Sequence, residues 1–302
     1  MRTDVVAFYT PWLLERFKKG EVLVRNPYND NSITRYLLSP KIVDGLSFCT
    51  KNPIPILPFL STFDSYNQFW FVTITPYDWR IERGVGDKEK IIDSFITLSK
   101  IVGKDRIVWR YDPIFIDNHY TLSYHKEAFL RMARKLSSYT NKCIVSFVDI
   151  YKGVKNNWPS LTPVKGEDRI NLLSSFIDSG KENGIRIGIC NENTITRDLD
   201  LDREGCLTKE GWEEIVGKRL NIPSSSYKRS GCSCILGSDI GAYNTCPNYC
   251  LYCYANYNKS EVEKRYKLHN PHSPLLFGEV EEGDVIKTYR EGSWKIEEPT
   301  LF

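Results

Sequence analysis

Apolar and polar positions alternate along the first two thirds of the chain in a strand-then-helix rhythm. Short apolar runs occur at Val22-Leu23-Val24, Leu46-Ser47-Phe48-Cys49, Phe69 to Thr75, Ile107-Val108-Trp109, Cys143 to Ile150 and Ile185 to Cys190. Their length and β-branched or aromatic content mark them as strands. Helical period fills the gaps. Thr10 is placed to cap a helix with Pro11 at its first position and Gly20 just past its end. From Asp87 to Val102, Ile91, Phe95, Leu98 and Val102 form one stripe, with Gly103 as terminator. Phe129, Met132, Ala133 and Leu136 mark another helix, and Leu173, Phe176 and Ile177 before Gly180 a third. Strands alternating with helices predict parallel βα units joined by right-handed crossovers. Many similar units, and no Gly-rich dinucleotide turn after the first strand, favour an α/β fold of the TIM-like βα-barrel kind, partial or closed, over a doubly wound sheet.

The texture changes after Cys190. Trp212, Ile215 and Val216 suit one short helix, and Pro223 to Cys234 reads as loop. Asp239 to Asn244 is expected to add a strand, and Ser260 with Glu263 forms a capping box for a final helix to about Leu268. The expected organisation is therefore a βα body over 1–190, a cysteine-rich region over 191–278 that completes the barrel, and a charged surface tail over 279–302.

Composition narrows the class. The chain has 302 residues, room for one large domain or two smaller ones. Lys plus Arg number 41 against 38 Asp plus Glu, a net charge of +3 that neither demands nor excludes nucleic acid. No run approaches the ~18 apolar residues of a membrane helix, and the opening Met1-Arg2-Thr3-Asp4 lacks a signal-peptide pattern, so a cytoplasmic location away from membranes is expected.

Nine cysteines in such a chain point to metal or redox chemistry, since cytosolic disulfides are rare. Cys49 and Cys143 sit inside apolar strand runs and read as core. The other seven fall within the 64 residues from Cys190 to Cys253. Among them Cys246, Cys250 and Cys253 form C-x3-C-x2-C, with Tyr252 before the last. Three thiolates on one loop can hold three corners of a [4Fe–4S] cluster, leaving the fourth iron open. A structural zinc site prefers paired C-x2-4-C motifs, and a ferredoxin run would place Pro after a fourth cysteine. Zinc, simple electron transfer and unrelated buried cysteines remain as alternatives. Cys190, Cys206, Cys232 and Cys234 make a second set, able to hold an auxiliary [4Fe–4S] cluster or a zinc ion, or else to act partly as small core residues.

The C-x3-C-x2-C spacing with its aromatic residue is the signature of the radical S-adenosylmethionine superfamily. That resemblance implies S-adenosylmethionine bound at the open iron, Tyr252 packing near its adenine, and a one-electron donor such as a flavodoxin or ferredoxin. The chain also resembles the domain-of-unknown-function family DUF1848, whose members look like radical-SAM proteins with the cysteine motif near the C-terminus. The resemblance rests on Arg2-Thr3-Asp4, Leu23 to Pro27, Thr50 to Pro53, Thr73 to Tyr77, Trp109 to Pro113, Ser146 to Asp149, Asp239 to Cys246 and onward, and Ser273 to Leu276. Several of these motifs are similar, more weakly, to spore photoproduct lyase-like proteins. The family's order implies a barrel rearranged so that the cluster loop comes last. Its usual start has a few apolar residues ahead of this one, so a shortened edge strand or an upstream start is expected.

Barrel active sites gather at the C-terminal strand ends. Arg25, Lys51 with Asn52, Thr75, Arg110 with Asp112, Ser146 with Asp149, and Asn191 are expected there. Lys51, Asn52, Thr75, Arg110 and Ser146 are candidates for binding the cofactor, and Arg110, Asp112 and Asp149 for catalysis. Arg110 can grip a carboxylate or phosphate, and Asp112 or Asp149 ribose hydroxyls; equally, Arg110 and Asp112 can form a structural ion pair. The four histidines match no nucleophile motif, and no P-loop or nucleophile elbow is present. The rival to an enzyme is a non-catalytic iron–sulfur or zinc module that binds nucleic acid or protein.

Overall fold

The computed structural model describes residues 1–190, 198–223, 234, 235, 237–289 and 292–296. Two helices open the chain, α1 (Val5–Phe8) and α2 (Thr10–Lys19). Helix α2 stops at Gly20, whose φ of 74° is the left-handed turn that glycine adopts freely. Thr10 lies inside α2 and donates to the Val6 carbonyl at 2.7 Å, so it links the two helices rather than capping the second.

The first apolar run does not enter a parallel sheet. It forms β1 (Glu21–Asn26), antiparallel to β2 (Asn29–Leu37). Strand β2 is largely polar, which hid it from a reading based on apolar runs.

The other five runs form one parallel sheet: β3 (Leu46–Thr50), β4 (Gln68–Thr73), β5 (Ile107–Ile114), β6 (Lys142–Phe147) and β7 (Arg186–Ile189). They pair in chain order, with Cys49 opposite Phe71, Phe71 opposite Val108, Trp109 opposite Cys143, and Cys143 opposite Ile187. Crossovers include α3 (Lys88–Val102), α4 (Leu122–Leu136), the short α5 (Lys152–Asn157) and α6 (Gly166–Asn183). Asp87 caps α3 by accepting the N–H groups of Glu89 and Lys90 at 2.8 and 3.1 Å. Gly180 does not end α6. A Cβ there would stand 2.4 Å from the Ile185 carbonyl oxygen, so Gly180 permits close packing while Gly184, with φ 67°, ends the helix.

Side chains alternate across the strands. Trp70, Val72, Trp109, Tyr111, Cys143, Val145, Ile187 and Ile189 share one core with Phe95 of α3, Phe129 of α4 and Phe176 of α6. Phe129 stacks on Trp109 at 4.8 Å and on Phe176 at 4.0 Å. Such contacts contribute about 0.5–1.5 kcal/mol each beyond the apolar area they bury. The long crossover helices thus cover one face. The other face carries Phe69, Phe71, Val108 and Ile144, packed with Leu207, Cys49, Cys190, Cys206, Trp212 and Ile215. Trp212 and Ile215 belong to α7 (Lys209–Val216).

Among the described residues β3 and β7 are the outer strands, β7 bridged further only by Asp202, so the sheet is an open α/β arrangement and not a closed barrel. Residues 239–244 do not add a strand. Thr3 Oγ1 donates to the Ala242 carbonyl at 2.7 Å and accepts its N–H at 3.0 Å, while Asp239 accepts the N–H groups of Arg2 and Gly241 at 3.0 and 2.8 Å. Side chains meet the backbone needs that a ladder would have met. The last helix, α8 (Lys259–Lys267), is capped by Asn258, which accepts the Glu261 N–H at 3.2 Å, rather than by Ser260. In the tail, β8 (Val285–Thr288) pairs in parallel with β2 and is exposed throughout. No described helix is long and apolar enough to cross a membrane.

Candidate metal centre

Cys246, Cys250 and Cys253 lie on an irregular loop ahead of α8. Its backbone bends through left-handed residues at Asn244 and Tyr249, with φ 53° and 46°. Asn244 tolerates this because its short amide satisfies the backbone locally: Oδ1 accepts the N–H groups of Tyr257 and Asn258 at 2.9 and 3.2 Å. Asn256 holds Cys246 from both sides, accepting its N–H at 3.4 Å and donating to its carbonyl at 2.6 Å. Asn157 of α5 donates to the carbonyls of Cys253 and Asn256 at 3.1 and 2.6 Å.

Two distant segments brace the loop further. The Leu251 N–H donates to Ile81 at 3.0 Å, and the Gly84 N–H to Asn248 at 2.9 Å. Only glycine fits at position 84, where a Cβ would stand 1.9 Å from the Pro247 carbonyl oxygen. From the N-terminus, the buried Asp4 carboxylate accepts the Lys51 N–H at 2.8 Å and the Asn248 amide at 3.2 Å. The Tyr9 hydroxyl donates to the Thr245 carbonyl.

Behind the loop lies a buried charge network that the sequence alone did not reveal. Glu82 is 1 % exposed. Its Oε1 accepts from Lys51 Nζ at 2.8 Å, from the Thr75 hydroxyl at 2.7 Å and from the Tyr252 hydroxyl; its Oε2 accepts from Lys88. Burial opposes the Glu82 charge, yet Lys51 and then Lys88 outweigh it and hold the carboxyl well below the usual carboxylate range. Burial likewise lowers Lys88, whereas for Lys51 the Glu82 charge overcomes burial and raises it. Lys51 and Lys88 thus set two ammonium groups against the Glu82 carboxylate, and Lys51 also acts on Cys250.

The Lys51 charge suits the thiols. Cys246 and Cys250 are buried and Cys253 is half-buried. Burial, then Asp4 and Cys253, pushes the Cys246 thiol up to about 12. Burial also raises Cys250 and Cys253, and Lys51 offsets part of the rise at each. Each thiolate is penalised by burial, and Cys250 repels both of the others. Bound iron would take up the thiolates and supply positive charge, and three thiolates are the donor chemistry of an iron–sulfur cluster. Among the described residues, no three His, Cys, Asp or Glu side chains are drawn together closely enough to hold a metal ion as they stand.

The second cysteine set lies at the far edge of the same sheet. Cys190 follows β7 and donates its N–H to Val145 at 3.1 Å. Cys206 sits on a segment tied to β7, where Asp202 accepts the Ile189 N–H and donates its own to Ile187, and Lys142 pairs with Asp202 at 2.7 Å. The Cys206 thiol is in hydrogen-bond contact with Cys190 and Cys234. Those contacts, foremost, raise Cys206; the Cys206 contact lowers Cys190, with help from Arg110. Cys232 and Asn191 lie outside the described residues.

A family model for the Domain of unknown function (DUF1848) matches residues 1–255. The chain belongs to this family. The matched span takes in both cysteine sets of this DUF1848 protein and ends two residues after Cys253. No curated protein and no solved structure matches the chain.

The DUF1848 chain brings some of the predicted site residues together and separates others. Lys51, Thr75 and Tyr252 meet at Glu82. Tyr252 is buried in a cluster with Tyr77, Phe115 and Cys250, so its ring is packed by protein on the side facing Tyr77. Asn52 faces its own turn, accepting the Ile54 N–H at 3.1 Å. Arg110 pairs with Asp112. Burial opposes the Arg110 charge, but Asp112, Cys206, Cys49 and Cys190 together hold it well above its usual value. Ser146 lies one strand over on β6 and is half-buried. Asp149 is exposed and accepts from the Tyr151 hydroxyl at 3.1 Å. Arg25 is not at the end of a parallel strand; it grips Asp284 of the tail through two bonds of 2.6 and 2.8 Å, because β1 belongs to the hairpin. Glu82 and Lys88 had no local signal, since neither follows an apolar run.

Proposed function

We propose that this DUF1848 protein is a radical S-adenosylmethionine enzyme whose [4Fe–4S] cluster is held by Cys246, Cys250 and Cys253. The observation that carries the reading is three thiols on one braced loop, with no fourth cysteine on that loop, beside the buried Lys51 and Lys88 ammonium groups. The chemistry such a cluster supplies when bound is one-electron reductive cleavage of S-adenosylmethionine to a hydrogen-abstracting 5′-deoxyadenosyl radical. Lys51 and Lys88 offset the negative charge of the thiolates and of a bound carboxylate. Glu82 fixes both lysines and, through the Tyr252 hydroxyl, the loop itself. Arg110 and Asp112 occupy the face opposite the long helices, where they are candidates to orient a polar substrate. We place the open sheet in the partial-barrel class of such enzymes, because strands paired in chain order with the long helices on one face match the winding of a βα barrel. A small one-electron carrier would reduce the cluster.

Anaerobic reconstitution tests this. The wild-type chain should take up at least about four irons with sulfide, absorb broadly in the blue, bind S-adenosylmethionine and release 5′-deoxyadenosine after dithionite. Cys250→Ala should keep its circular dichroism and lose the cluster and the cleavage together. A colourless zinc-filled loop, or a folded Cys250→Ala chain that still cleaves the cofactor, would overturn the proposal.

A further inference from the structure

We infer that Cys190, Cys206 and Cys234 form a second, thiophilic metal centre, distinct from the Cys246–Cys253 loop and independent of the function proposed for it. Three separate pieces of chain bring these thiols together. The Ile235 N–H donates to Leu207 at 3.1 Å and carries Cys234 in beside Cys206. The Cys206 N–H then donates to Cys234 Sγ at 3.0 Å. Gly205 makes that approach possible: its φ is 118°, and a Cβ would stand 3.1 Å from the same sulfur. Backbone N–H groups aimed at cysteine sulfur are a device by which proteins hold and tune metal-bound thiolates.

The charge around the trio agrees. Arg110 Nε is buried with no hydrogen-bond partner among the described residues, and the guanidinium lies close enough to Cys190 and Cys206 for their charges to act on it. Arg110 is also paired with Asp112, so it offsets only part of the negative charge that three thiolates give to a divalent metal.

Cys143 shows what a plain core cysteine looks like here. It is fully buried in the main core, and its sulfur meets only main chain among the described residues, the Ile144 carbonyl at 4.0 Å and the Tyr111 backbone. The trio differs in its thiol–thiol contacts, which Cys143 lacks among the described residues. As they stand, Cys206 packs with Cys190 in one cluster and bonds Cys234 through its N–H. A tetrahedral site with ~2.3 Å metal–sulfur bonds sets its sulfurs ~3.8 Å apart. Binding would draw Cys190 and Cys234 together and release the thiol protons. A zinc ion and an iron–sulfur cluster share this chemistry.

The test uses the full chain carrying Cys246→Ala, Cys250→Ala and Cys253→Ala, purified reduced and oxygen-free. In one arm it is titrated with Co2+ as a zinc probe, in the other with ferrous iron and sulfide. One centre per chain with sulfur-to-metal charge-transfer absorption is expected in at least one arm. Cobalt alone identifies a mononuclear site, and iron with sulfide a cluster. Adding Cys206→Ser should weaken binding at least tenfold with circular dichroism unchanged. If the loop variant does not fold, Cys206→Ser in the otherwise wild-type chain should lower the metal content by one centre. The inference fails if neither arm binds metal, if Cys206→Ser binds as tightly, or if the thiols only form a Cys190–Cys206 disulfide.

Discussion

The two cysteine regions are built in opposite ways. Cys246, Cys250 and Cys253 come from one loop, and the fold spends its contacts on holding that loop: Asn256 and Asn157 on one side, Ile81 to Gly84 on another, Asp4 and Tyr9 on a third. Cys190, Cys206 and Cys234 come from a strand end and two later segments, and they hold one another. In the first region the scaffold shapes the site before any ligand arrives. In the second, a ligand would complete the scaffold. Preorganisation of the first kind suits a reactive centre, and closure of the second kind suits a staple or an accessory centre.

The sharpest way to break this contrast is to remove the anchor of the first region alone. Glu82→Gln keeps the shape but leaves Lys51 and Lys88 without their carboxylate in a buried setting. Breaking a buried ion network from one side costs about 3–5 kcal/mol. The midpoint of urea unfolding should fall accordingly, and cluster uptake at Cys246–Cys253 should fall with it. Metal content at Cys190–Cys206–Cys234 should stay. If Glu82→Gln unfolds with wild-type stability, the network is not what braces the loop.

A pH titration separates the regions next. His125 is fully buried, with Nδ1 paired to the Tyr111 hydroxyl and Nε2 to the Phe115 carbonyl, both at 2.8 Å. Burial, opposed in part by the Phe115 carbonyl and Asp117, lowers its pKa to about 4. The unfolded chain takes up that proton near pH ~6.5, so between these values it binds more protons than the folded chain. This contribution is fully present above pH ~6.5 and is lost as pH falls toward about 4, by up to ~3 kcal/mol. His125→Gln should flatten that part of the stability–pH curve. His125 lies under the aromatic platform of Tyr77, Phe115 and Tyr252, so acid should expose the first region to proteolysis before the second. The reverse order would argue that the platform does not carry the loop.

What was legible in the sequence follows the same division. The five parallel strands and the helices α3, α4 and α7 showed as apolar periodicity, because each buries a defined face. The cysteine loop showed as spacing, because its ligands are close in sequence. Glu82 and Lys88 did not show, since a buried ion network is assembled by tertiary contacts between residues that look like surface charges. Strand β2 stayed hidden because its polar side chains leave no stripe. The expected strand at Asp239–Asn244 failed for a related reason: Thr3 and Asp239 side chains took over the backbone bonding that a neighbouring strand would have provided. DUF1848 membership came from motifs spread over most of the chain, and such spread speaks to fold before it speaks to substrate.

The smallest effect bears on the cover of the second region. Thr208 caps α7 by accepting the Gly211 N–H at 3.2 Å, and Trp212 of that helix packs on Gly45, where a Cβ would stand 2.2 Å from the indole. Thr208→Ala should cost about 1 kcal/mol, the usual worth of an N-cap. If α7 opens on its own as a local unit, the cost appears there first: hydrogen exchange of α7 amides should rise roughly fivefold, and amides of α8 and the Cys246–Cys253 loop should not change. Metal bound at Cys206 should then suppress the difference, because the ligand pins the chain two residues before the cap. A uniform rise across both regions would instead mean that the two cysteine sites share one cooperative unit, and the contrast between them would lie in their ligands and not in the scaffold.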